Sequence, residues 1–100
     1  SFQKELEVIR LKVPGIGEAL GQQAAAFVQA LRRAKLKKMP GLAEAIDWAR
    51  ALQSTGVRVL ERTDVEQTAG VLLKDHDDIK ALRGGLIETL LGKARSGEST

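Results

Sequence analysis

Residues 37–52, KKMPGLAEAIDWARAL, decide how this chain is read. A basic pair, Lys37 and Lys38, leads into Met39-Pro40-Gly41, after which a helix opens. Proline has no backbone N–H to lose in a first helical turn, so Pro40 is read as the helix starter. Leu42, Ile46, Ala49 and Leu52 then recur on one face at helical spacing. The free N–H groups at such a helix start carry partial positive charge, and two lysines stand just upstream. That combination suits a phosphate, and it also describes an ordinary well-started helix.

The same periodicity runs outward in both directions. Phe2, Leu6, Ile9 and Val13 line one face of a first helix over 2–12, ended by Pro14-Gly15. A second helix is expected at about 16–34, with Ile16, Leu20, Ala24, Phe27, Val28 and Leu31 inward. Its Ala24-Ala25-Ala26 run suits close approach of a neighbour. The third helix, 41–54, stops at Gly56. Residues 57–60, VRVL, read as an extended connector too short to promise a sheet. Thr63 and Glu66 have the spacing of a capping box for a fourth helix over 64–74. A fifth starts near His76-Asp77-Asp78 and carries Ile79, Leu82, Leu86 and Leu90 inward, with a bend expected at Gly84-Gly85. Residues 96–100 read as a disordered polar tail. No internal repeat is visible. The expectation is one all-α domain over 1–95, a small bundle of about five helices with no substantial sheet.

Composition agrees. Of 100 residues 43% are apolar, yet only three are aromatic, and the abundant Ala and Leu are helix formers. No stretch approaches the roughly 18 uninterrupted apolar residues of a membrane span. There is no cysteine, so neither a disulfide nor a thiolate metal site is available, and nothing conflicts with a cytoplasmic location. Net charge is +3, with the excess in Arg32, Arg33, Lys35, Lys37 and Lys38. A nucleic-acid surface usually interleaves such charge with exposed aromatics, and here the aromatics sit at core positions. A solvated basic corner is therefore preferred over a nucleic-acid site.

Catalytic constellations are missing from the pattern. Gly15-x-Gly17 lacks the third glycine of a dinucleotide loop, and Gly92-Lys93 lacks the rest of a P-loop. The single histidine, His76, stands among Asp75, Asp77 and Asp78 and reads as a solvated helix start, not a metal ligand. No Ser or Thr has a triad to join. Asp77 and Asp78 read as partners of a helix dipole. The pair Asp47-Trp48 admits two readings. Either Trp48 fills the core and Asp47 pairs with Arg50 one turn on, or the two anchor this helix to a second module.

The stretches LKVPGIGEALGQQAAAFVQALRR, KKMPGLAEAIDWARAL and VLLKDHDDIKAL together resemble the C-terminal helical lid of MoxR-type AAA+ ATPases. The resemblance covers positions 2 to about 91 and is most specific at 40–52, which holds Pro40, Asp47, Trp48 and Arg50, and at 72–78. It implies an α/β core in the same polypeptide that carries the P-loop, binds ATP and magnesium, and supplies the arginine finger. It further implies a ring, typically a hexamer, of chaperone-like subunits, often working with von Willebrand factor A domain proteins. None of the core motifs is in this chain, so alone it is expected to bind no cofactor and to hydrolyse nothing. One departure stands out. Such lids commonly place a sensor arginine in the first turn of the helix matching 40–52, and here that position is Glu44. Either Lys37 or Lys38 takes its place or such a lid senses nucleotide only through packing. The nucleotide-facing candidates are Lys37, Lys38 and Glu44, with Arg50 a poorly placed substitute. The alternative is a free-standing helical interaction module that contacts nucleic acid through the run from Arg32 to Lys38.

Overall fold

The bundle is built around its second helix. The computed structural model describes residues 1–96, and among these every regular element is helical. The elements are α1 (Phe2–Lys12), α2 (Glu18–Arg32), α3 (Leu42–Ser54), α4 (Arg62–Leu72), α5 (His76–Ala81) and α6 (Ile87–Ser96), with a π-type turn, Leu82–Leu86, joining the last two. The expected fifth helix is thus two helices. Gly85 takes φ +138°, a region closed to residues with a Cβ, and the ladder widens there. The tail expected at 96–100 lies, from 97 on, outside the described residues, while Ser96 itself closes α6.

Helix α2 has apolar side chains on two sides and buries both. Ala25 joins Leu6, Ile9 and Val13 of α1 and its end, with Ala49 of α3. Ala24, Ala26, Phe27, Val28 and Leu31 join Trp48, Leu52, Val65, Leu72, Leu82, Ile87 and Leu90 in the larger cluster. All three alanines of the run are buried, which fits the close approach expected of small side chains. Phe27 and Trp48 meet with ring centroids 5.3 Å apart at 41°. Trp48 is fully buried, and its indole N–H donates to Thr68 Oγ1 at 2.7 Å. The Thr68 hydroxyl in turn donates to the Asp64 carbonyl at 2.6 Å. The core reading of Trp48 holds. Asp47 pairs with Arg50 one turn on at 3.5 Å.

Three helix starts differ from expectation. Helix α2 begins at Glu18, with Ile16 and Gly17 before it. Pro40 is not in the first helical turn, because Gly41 is the N-cap of α3 and the helix begins at Leu42. Pro40 is instead a buried lead-in residue whose carbonyl accepts from Arg32 Nε at 2.9 Å. Helix α4 begins at Arg62, two residues early, because the box that closes it is Glu61 and Asp64. The Glu61 N–H donates to Asp64 Oδ2 at 2.9 Å, where Thr63 and Glu66 had the same spacing. Residues 57–60 form no strand, and Leu60 is buried with its N–H on Gln23 Oε1 at 2.7 Å.

Helices α3 and α4 also share a register. Position by position, 41–52 and 61–72 follow one sequence of exposed, half-buried and buried residues. Trp48 and Thr68 occupy equivalent places in it, and they are the two residues that hydrogen-bond across the pair. Each helix also opens with a carboxylate three residues in that accepts the N-cap N–H.

Candidate functional site

The segment between α2 and α3, residues 33–41, carries the basic run, and three carboxylates fix its course. At its root, Arg32 is turned inward. Its guanidinium forms a bidentate pair with Glu5, Nη1 to Oε1 at 2.7 Å and Nη2 to Oε2 at 2.6 Å. Gln29 adds a bond to Glu5 Oε1 at 2.7 Å, and Glu5 is only 5% exposed. With Nε on the Pro40 carbonyl, one planar fork ties α1, α2 and the lead-in to α3.

Midway, Asp78 holds the backbone. It is 3% exposed, and its two oxygens accept the N–H groups of Lys37 at 2.8 Å and Lys38 at 2.9 Å. The Lys37 amine reaches Asp77 beside it. That hydrogen bond and its charge hold Asp77 below the usual carboxylate range and raise Lys37 above the ordinary lysine value. Asp77 and Asp78 therefore do more than sit at a helix start. Asp75 supplies the cap of α5, accepting from the Asp77 and Asp78 N–H groups at 2.9 and 3.2 Å.

At the far end Glu44 closes α3. Its Oε1 accepts the Gly41 N–H at 2.9 Å. This bond, then the Glu44 N–H, then the charges of Lys74 and Lys38, outweigh slight desolvation and hold its carboxyl below the ordinary value. A negative charge thus already lies at the start of α3, with two amines near it. Beside it, a cleft of about 460 Å³ runs past Lys4, Val8, Arg32, Gly41 and Leu42.

The three nucleotide-facing candidates are brought together around this segment, but two have internal partners: Lys37 has Asp77 and Glu44 has Gly41. Lys38 gives its N–H to Asp78 and keeps its side chain exposed. Pro40 and Trp48 are interior, whereas Asp47 and Arg50 lie on the outer side of α3, where the Arg50 guanidinium also reaches the Lys12 carbonyl at 3.3 Å. Among the described residues no three His, Asp or Glu side chains gather in a metal-binding arrangement, and no helix is long and apolar enough to cross a membrane. Sequence reasoning missed Glu5, and it read Asp78 as a helix-dipole partner without its hold on the Lys37 and Lys38 backbone. A carboxylate inside an otherwise apolar helix face, as Glu5 is next to Leu6 and Ile9, was the signal for the first; nothing local marked the second. Comparison of the chain with protein-family models, curated proteins and solved structures finds no match.

Proposed function

We propose that this chain is the C-terminal helical lid of a MoxR-type AAA+ ATPase. In this reading it closes over a nucleotide held by an α/β core of the same polypeptide and passes the nucleotide's state to neighbouring subunits of a ring. One observation carries the reading. The two stretches with the most specific resemblance, 40–52 and 72–78, lie far apart in sequence, yet Asp78 binds the backbone of Lys37 and Lys38 at the entry to the first. The all-α fold supports the reading in a coarser way.

The reading assigns ATP and magnesium to the core, and to this chain the shaping of the cover. Of the two lysine candidates, Lys38 is the one whose amine is not on Asp77, and its side chain is exposed. Glu44 stands where a sensor arginine is usual but serves Gly41, so nucleotide state is passed on through packing. Nucleic-acid binding through the basic run has less in its favour, because Arg32 and Lys37 are both held by carboxylates.

The test is the reading frame upstream of Ser1 in the parent gene. A GxxxxGK[ST] stretch after an apolar strand, about 200 residues earlier by typical domain length, is the expected result. A preceding segment with no such stretch overturns the proposal.

A further inference from the structure

Helix α5 differs from the rest of the bundle in what holds it. It has six residues, too few to persist alone, and its main packing partner is the π-type turn that follows it. Helices α2, α3, α4 and α6 pack on one another. The inner side of α5 is anchored by a carboxylate, Asp78, on two backbone N–H groups of the 33–41 segment, and its outer side by the exposed Asp77–Lys37 pair. Ile79 is half-buried, whereas Leu82, the residue that caps α5, is fully buried in the main core. Arg83 donates to the Glu66 carbonyl of α4 at 3.2 Å, so opening withdraws one core side chain and one outer bond along with the latch. At the other end stand Gly84 and Gly85, both exposed, with nothing within 4 Å of where a Cβ would be. Gly85 alone has the left-handed φ of +138°. Beyond the joint, Ile87 is fully buried in the frame.

We propose that α5 is a strap, latched at Asp78 and jointed at Gly84–Gly85, that opens as a unit while the α2–α3–α4–α6 frame stays folded. Opening frees the Lys37 and Lys38 N–H groups and the Lys37 amine together. The closed strap therefore holds two carboxylates against the Lys37 amine and the 37–38 backbone, and a partner of those groups competes with Asp77 and Asp78. The inference stands on the latch and the joint, and does not need the lid assignment.

Native-state hydrogen exchange on the 100-residue chain tests it. Amides of Lys37, Lys38, Ile79 and Leu82 should exchange through a shared opening at least about tenfold more frequent than that of Phe27, Val28 and Leu31. Asp78→Asn should raise exchange at 37–38 and 76–82 about tenfold further and leave α2 unchanged. Equal protection of α5 and α2 in the unsubstituted chain overturns the strap, as does a uniform acceleration of all helices by Asp78→Asn. If that variant does not fold, Gly84→Ala decides. A stiffer joint should slow exchange at 37–38 and 76–82 by about two- to fivefold with α2 unchanged, and no selective slowing overturns the proposal.

Discussion

At the scale of single residues, a local pattern can mark Glu5 as unusual but cannot name its partner. Glu5 and Arg32 are separated by 27 positions, and their pairing depends on how α1 crosses α2. Removing one partner leaves the other partly buried without its counter-charge. Glu5→Gln should therefore cost about 2–4 kcal/mol in urea denaturation, below the full buried-pair range because Arg32 keeps some exposure. The double variant Glu5→Leu, Arg32→Met should cost less than either single change, and a strictly additive loss would contradict this account. Trp48 was easier to read. A lone tryptophan at a helical core position, with Phe27 on the next helix, is buried by its size alone, and Trp48→Ala should cost on the order of 3–5 kcal/mol. Equilibrium unfolding of that variant measures it, and a loss below about 1 kcal/mol would mean the cavity collapses or the ring contributes little.

At the scale of elements, periodicity located the helices and chemistry misplaced their first residues. Two capping boxes fit the start of α4, offset by two residues, and spacing alone cannot rank them. Burial does: Leu60 must reach the core, which sets the turn at Glu61. Pro40 likewise fits a first-turn position by its ring, but Glu44 draws the Gly41 N–H and makes glycine the cap. The bend at Gly84-Gly85 was legible because two adjacent glycines weaken any helix. That the break should be a π-type turn was not, since it depends on anchoring Leu82 and Ile87 on both sides. The two glycines should respond oppositely to the same change. Gly85→Ala, at φ +138°, should cost about 1–3 kcal/mol, whereas Gly84→Ala, with open space, should be neutral or stabilise by up to about 1 kcal/mol. Thermal unfolding of both variants measures this, and equal shifts would mean that the turn relaxes.

At the scale of the whole molecule, an all-α bundle followed from composition and spacing, and the candidate site only in part. Lys37, Lys38 and Glu44 do converge on one segment, because Pro40 and Gly41 bring the basic run against the start of α3. Their internal partners, Asp77 and Gly41, come from long-range closure in one case and a three-residue reach in the other. With a radius of gyration of 12.0 Å, the chain is about as small as its length permits, yet both of these closures lie at its surface.

The burial of Trp48 has an optical consequence. The chain contains one tryptophan and no tyrosine, so red-edge ultraviolet excitation yields emission from a single indole. That indole touches Phe27 of α2 and donates to Thr68 of α4. Its spectrum is therefore a built-in reporter of the junction of three helices, blue-shifted while α2, α3 and α4 stay together.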